Sequence, residues 1–476
     1  MQNSKLIELL KVLDAAELKR LLSFLKSPFY NANPHIVKLY LILRTYFPDF
    51  ASPKLDKQHV FKKLFPKRVY DHQKLLNLMS DFTTLVKRYL SVLQLEKEEQ
   101  LQDRLLLKAF AERPDSYNVF VKQIQKTDSN LDKLPYRNKD FHQQKFWLSQ
   151  LYFNHPGTDK FELSKAQYDA SMQQLDRWFL LEKLLLSCEI KAREKPLSEK
   201  YDIWLLQEIR EGVSHFSAGD PIATAYLEML QLLEEEEPSA YYNLKALLMN
   251  HLPQFTRLQQ QNILQSLINF TIREGNRGDV NFLKENLDLY KFGLAEQLFF
   301  EYGILNDMTY ISIVNIALRT KDLAWCLEFI NTNEKFLEPR ARKDAKTLAT
   351  ALWLYAEQKP DATIELLHKV DFLNVYYQIQ ARVLLIKVYF EAFQKNDAYF
   401  ELVHAQSEAF ERYLRRNKKV SKAQGEALLN FALSVKRLAK LKTGIAFEEQ
   451  SKRTFIQELH ELKPLYNKSW LLRQID

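Results

Sequence analysis

The sequence predicts an all-α protein, with a basic N-terminal helical bundle followed by a solenoid of helical hairpins. Three observations predict it. Nearly every window of the 476 residues repeats apolar side chains at i, i+3, i+4 and i+7, the period of an amphipathic helix and not the alternation of a strand. Only 9 residues are Gly, against roughly 33 at an average usage of ~7%. Tight β-hairpins and glycine-cradled phosphates therefore lack the residues that tolerate positive φ. Finally, a helix–turn–helix motif recurs in the C-terminal half.

The elements follow in order. Leu6, Leu9, Leu10 and Leu13 open the chain with a first amphipathic helix. Asp14 with Glu17 predicts a capping box ahead of Leu18, Leu21, Leu22 and Leu25, each side chain satisfying a free backbone N–H. Ser27-Pro28 ends that helix, and Pro34 opens a third carrying Val37, Tyr40, Leu41 and Phe47. A fourth spans about Asp56–Phe65 and stops at Pro66. A long fifth starts near Asp71 and holds Leu75, Leu78, Met79, Phe82, Leu85, Val86 and Leu90. From about residue 97 helices follow one another across short polar breaks at Arg113–Ser116, Thr127–Pro135, Asn154–Thr158, Lys195–Ser198, Ser217–Pro221, Glu234–Pro238 and Gly275–Gly278. The expected organisation is an N-terminal helical domain (1–95) and a helical region opening the solenoid (96–250). Hairpin repeats (251–445) and a C-terminal capping helix with a tail (446–476) complete it.

The repeat is clearest where Ala356-Glu-Gln-Lys-Pro-Asp361-Ala362, with Glu365 and Leu366, matches Ala392-Phe-Gln-Lys-Asn-Asp397-Ala398, with Glu401 and Leu402. Looser copies run from Ala317 through Asp322 and Ala324, and from Glu274 through Asp279. One helix ends near the first Ala, the chain turns over a few polar residues, and an Asp is placed to cap the next helix. Ala362 and Ala398 are expected to let two helices approach closely, with Leu366 and Leu402 packing one turn on.

On these residues the sequence resembles the tetratricopeptide-like family of helical-hairpin repeats, most clearly over about 305–405. The match lies in the first-helix Leu/Ala/Tyr pattern, the polar turn, and Ala362 with Leu366 or Ala398 with Leu402. Its spacing departs from the family's 34-residue period. The resemblance implies a superhelical stack whose concave groove binds peptides or proteins. The matching positions (Ala356, Asp361, Ala362, Leu366, Ala392, Asp397, Ala398, Leu402) are packing positions, so no ligand-reading residue carries over. Such stacks bury a core only between neighbouring repeats.

The formal charge of +8 is segregated. Both ends are basic and the middle is acidic, with a run of four carboxylates at Glu234–Glu237. Lys62, Lys63, Lys67 and Arg68 lie at the end of the fourth helix and in the turn after it. Arg412, Arg415, Arg416, Lys418 and Lys419 form a second run. Basic patches attract phosphate backbones or acidic partners. Residues 55–90 loosely resemble the helix-turn-helix of bacterial activators that carry tetratricopeptide-like domains. The long helix's expected outward positions, Asp71, Asn77, Asp81, Thr83 and Thr84, suit phosphate contact poorly.

No His-Glu-x-x-His, Gly-x-x-x-x-Gly-Lys, Gly-x-Gly-x-x-Gly or Gly-x-Ser-x-Gly occurs. His142 and His155 read as ordinary helix residues and not metal ligands, and Cys188 and Cys326 as small buried apolar ones. Aromatic clusters such as Val375-Tyr376-Tyr377 and Phe299-Phe300-Glu301-Tyr302 read as helix wedges or interface anchors. The N-terminus has no secretory pattern, and no stretch reaches the roughly 18 apolar residues of a membrane helix. The expectation is a cytoplasmic, non-catalytic scaffold or adaptor for a protein or peptide partner, with no cofactor, metal or membrane. The alternative is a nucleic-acid-associated regulator using its basic segments (54–90 and 411–453). An enzyme without a recognisable motif is the residual reading.

Overall fold

A computed structural model describes residues 1–197, 199–217, 219–417, 419–443 and 449–475. Lys418, one of the basic positions above, lies outside the described residues, as does the 445/446 boundary. The described residues are almost entirely helical and separate into two compact units, Met1–Leu134 with Lys139–Trp178, and Pro135–Asn138 with Phe179–Asp476. No described helix is long and apolar enough to cross a membrane.

The first unit begins with α1 (Lys5–Val12), α2 (Ala15–Lys26), α3 (Pro34–Leu43), α4 (Lys57–Leu64) and α5 (His72–Lys97). Its starts follow the sequence closely. Asp14 and Glu17 form the capping box of α2, Pro34 occupies the first turn of α3, Asp56 caps α4, and Asp71 caps α5. Leu10, Leu21, Leu39, Leu75, Phe82 and Val86 meet in one apolar core. Tyr40 and Tyr89 enter it by donating their hydroxyls to the carbonyls of Leu18 (2.6 Å) and Glu17 (2.7 Å), because a buried hydroxyl must find an acceptor. Next come α6 (Glu99–Ala111), α7 (Tyr117–Asp132) and α8 (Lys139–Phe153) around a smaller core of Leu107, Phe120, Leu131, Phe141 and Leu148. Helix α9 (Lys165–Leu197) carries Pro196 within its last turn, so it continues through the first three residues of the break predicted at Lys195–Ser198.

The second unit contains α10 (Leu206–Ser217), α11 (Pro221–Glu235), α12 (Pro238–Asn250), α13 (Arg257–Arg277), α14 (Val280–Ala295), α15 (Asp307–Arg319) and α16 (Leu323–Asn333). It continues with α17 (Pro339–Ala356), α18 (Pro360–His368), α19 (Val375–Phe393), α20 (Phe400–Arg416), α21 (Lys422–Thr443), α22 (Glu449–Glu461) and α23 (Lys468–Arg473). From α10 to α21 each helix packs on the next in sequence. Alternate helices also touch, α11 on α13, α15 on α17 and α17 on α19. One continuous apolar core results.

The repeat turns are built differently from the sequence expectation. Asp361 does not cap α18: Lys359 holds the cap position and Asp361 lies in the first turn. Asp397 does not cap α20 either. It opens a short 3₁₀ turn whose cap is Asn396, accepting from Ala398 N at 3.0 Å. The turn is set instead by a left-handed residue just after the first helix. Gly278 (φ 111°), Lys321 (φ 62°) and Gln358 (φ 58°) occupy that position in three successive copies. In each, the following N–H reaches back to the helix: Asp279 to Glu274 O (3.2 Å), Asp322 to Ala317 O (3.0 Å), Lys359 to Leu354 O (3.0 Å). This is the Schellman closure, formed twice without glycine. Gly275, expected in a loop, is buried inside α13, where an added Cβ would collide with Leu283. The Phe299–Tyr302 cluster forms something the helical period did not predict, a small antiparallel hairpin of β1 (Phe300–Glu301) and β2 (Ile304–Leu305). Gly303 takes φ 78° at its tip, and Tyr302 is fully exposed there.

Candidate functional site

The turns at two occurrences of the recurring sequence motif, after α17 and after α19, border a cleft of about 470 Å³ in the second unit. Gln358, Pro360 and Asp361 come from the turn after α17, and Gln394, Lys395 and Asn396 from the turn after α19. Tyr355, Val388, Glu391 and Ala392 line its helical wall, and Tyr399 and Gln474 complete it. The turn residues are polar because the chain leaves a helix there. The wall is aromatic and apolar because the same helices carry the core.

A hydrogen-bonded cluster stands behind the wall. Glu391 Oε1 accepts from the Tyr355 hydroxyl and from Trp470 Nε1 at 3.0 Å, and the indole also lies 3.2 Å from the Tyr355 oxygen. Burial, then the Glu391 carboxylate, pushes the Tyr355 hydroxyl well above its ordinary pKa. Trp470 is buried against Phe390 and Phe431. One turn before Glu391, Lys387 places Nζ 5.6 Å from the Trp470 ring centroid. Burial, opposed by Glu391 and reinforced by Arg473, lowers that ammonium to about 8. The cleft is lined by amide side chains, the phenols of Tyr355 and Tyr399, the carboxylates of Asp361 and Glu391, and Lys395, so it offers both hydrogen-bond donors and acceptors.

The same use of tyrosine recurs in this unit. Tyr241 donates to Glu285 (2.6 Å), which also binds Lys245, and Tyr377 donates to Asp307 (2.6 Å). Burial opposes ionisation of Glu285, but its bonds from Lys245 and Tyr241 hold it below the usual carboxylate range. Each pair ties a tyrosine to an acid at least 36 residues away, so the carboxylates are occupied structurally.

Of the eight predicted packing residues, Ala356, Ala362, Leu366 and Ala392 are half-buried, while Asp361, Asp397, Ala398 and Leu402 are exposed. The inward positions are Leu367 and Val403, which keep the repeat offset one residue later. The shift is common to α18, which has no 3₁₀ turn before it, and α20, which follows one: both turn the residue after the expected leucine inward. The buried alanines of these helices are Ala345, Ala349 and Ala351 of α17 and Ala381 of α19.

The basic residues fall into two environments. Lys62, Lys63, Lys67 and Arg68 are exposed on α4 and its turn. Arg412 lies 3.8 Å from Glu408, while Arg415, Arg416 and Lys419 are exposed. His142 pairs with Gln174 (2.7 Å) and His155 accepts from Gly157 N (3.0 Å). Cys188 and Cys326 are buried and free, and burial pushes the Cys326 thiol up to about 12. No group of three or more His, Cys, Asp or Glu placed to hold a metal occurs among the described residues.

Sequence reasoning passed over Glu391, Tyr355 and Lys387. The signal for the first two was present, because Tyr355 and Glu391 stand at the repeat offset. Trp470 carries no such signal; only folding brings it 79 residues back to Glu391. No protein-family model matches the chain, and neither a curated protein nor a solved structure does.

Proposed function

We propose that the second unit is a solenoid of divergent tetratricopeptide-like hairpins and serves as a non-catalytic scaffold that binds a protein or peptide segment. One observation carries this reading: the turns of two repeat copies, Gln358–Asp361 and Gln394–Asn396, line a single cleft. Stacked hairpins place equivalent turns side by side, which makes a recognition surface without any catalytic group. The sequential packing of α10 to α21 supports the stack, and the occupied carboxylates support a structural and not a chemical use of acids.

The test substitutes rim residues in the full-length chain, Gln358→Ala, Gln394→Ala and Lys395→Glu together, and compares cross-linked partners with those of the wild type. These side chains are exposed, so the helical circular dichroism stays unchanged. The reading expects a specific partner cross-linked at the cleft and lost in the variant. Retention of every partner by the variant contradicts it.

A further inference from the structure

The first unit carries a second surface, independent of the cleft. Between residues 54 and 91 stand nine Lys or Arg side chains and three carboxylates. Lys54, Lys62, Lys63, Lys67, Arg68, Lys87 and Arg88 are exposed. None of the nine forms an ion pair among the described residues. Asp56 and Asp71 are occupied in capping α4 and α5, which leaves Asp81 as the one carboxylate of the segment not used in a cap.

The packing of α5 explains which residues it leaves outside. Leu75, Leu78, Met79, Phe82, Val86, Tyr89 and Leu93 face the core. The opposite face therefore presents Gln73, Asn77, Ser80 and Thr84, all exposed. Their spacing of four, three and four residues puts them on one stripe, about 16 Å long at 1.5 Å per residue. Gln73 Nε2 donates to Asn77 Oδ1 at 2.9 Å, which fixes the orientation of both amides and leaves the Asn77 amino group free. Thr83, expected outside, is half-buried and bonds to Met79 O.

We propose that α4, the turn after it and α5 form a surface for duplex DNA, with the Gln73–Thr84 stripe in the major groove. Phosphates bind Lys62, Lys63, Lys67 and Arg68. The stripe is poor for phosphate but suits base edges: Asn and Gln pair with adenine, Ser and Thr with several edges, and an Asp such as Asp81 accepts from cytosine. A major groove about 12 Å wide admits one helix. An acidic protein segment would use the cations and leave the amide and hydroxyl stripe without a purpose, so duplex DNA accounts for both halves of the surface.

The experiment measures fluorescence anisotropy of full-length protein with a labelled random-sequence duplex across a salt series. A parallel selection enriches bound sequences from a random duplex pool. The expected result is binding at low salt whose log–log salt slope falls by about 3–4 in Lys62→Ala/Lys63→Ala/Lys67→Ala/Arg68→Ala, at ~0.9 per lost phosphate contact. Gln73→Ala/Asn77→Ala keeps random-sequence affinity within about threefold but loses the enriched sequence. All six side chains are exposed, so circular dichroism and the thermal midpoint verify folding in both variants. No binding at low salt, an unchanged slope in the fourfold variant, or polyglutamate displacing the duplex at equal charge overturns the proposal. An unchanged enriched sequence in the double variant overturns the major-groove placement.

Discussion

Residues 1–97 and the C-terminal unit bury different chemistry. No polar or charged residue of 1–97 is buried, and its charges face water. The C-terminal unit buries Asn286, Asp344 and Thr363 and ties three tyrosines to acids. The basic segments differ in the same way. Lys436 binds Glu411 at 3.0 Å and Arg437 binds Glu458 at 2.5 Å, whereas the cations of 54–91 have no acid partner. A net charge counted along a sequence therefore does not measure a binding surface. What matters is whether the fold supplies counter-charges, as it does for Lys436 and Arg437 and, among the described residues, does not for the cations of 54–91.

The contrast yields graded predictions, beginning with the buried polar cluster. Trp470→Ala removes a buried indole and one of the two donors to Glu391 Oε1, leaving the Tyr355 hydroxyl as the other. It is expected to destabilise the protein by about 3–5 kcal/mol, read by denaturant unfolding, while a cost below about 1 kcal/mol would break the claim that this cluster closes the second unit. A titration sharpens the same point. Lys387 has a folded pKa of about 8, below its ordinary 10.5, mainly through burial. Between these values the unfolded chain holds the proton and the folded chain does not, so this group makes stability rise with pH from about 8 to 10.5. Below about 8 the penalty of burying the charge is fully present. Lys387→Met should flatten that rise relative to wild type, and identical pH profiles would contradict it.

Smaller effects separate real caps from apparent ones. Asp14→Ala breaks a capping box and should cost about 1 kcal/mol. Asp361→Ala, although it looks like a cap in sequence, should stay within about 0.5 kcal/mol. Gln358→Gly relieves a left-handed residue and should stabilise by about 0.5–1 kcal/mol. Equal costs for both Asp variants would mean that the turn chemistry has been misassigned.

These turns also explain how much the sequence reveals. Helices were legible because apolar spacing reports one buried face, and the starts of α2 to α5 follow from Asp14, Pro34, Asp56 and Asp71. The repeat was legible as a recurrence of letters, but its inward register was not. Packing falls on Leu367 and Val403 and not on Leu366 and Leu402, and the matching letters do not show which of two adjacent apolar residues faces inward. Low glycine content correctly anticipated almost no sheet. It did not anticipate that Lys321 and Gln358 would adopt positive φ themselves, because the helix closure they enable offsets the strain. The cleft was least legible, since it depends on Trp470 and Gln474 returning from the end of the chain.

The most direct test of the central contrast compares the two basic segments in one assay. Full-length protein with Lys62→Ala/Lys63→Ala/Lys67→Ala/Arg68→Ala is measured beside Lys436→Ala/Arg437→Ala, whose cations are paired with Glu411 and Glu458, for duplex DNA affinity against salt. The predicted result is a slope lowered by about 3–4 in the first variant and a wild-type slope in the second. Equal reductions in both, or none in either, would contradict the account.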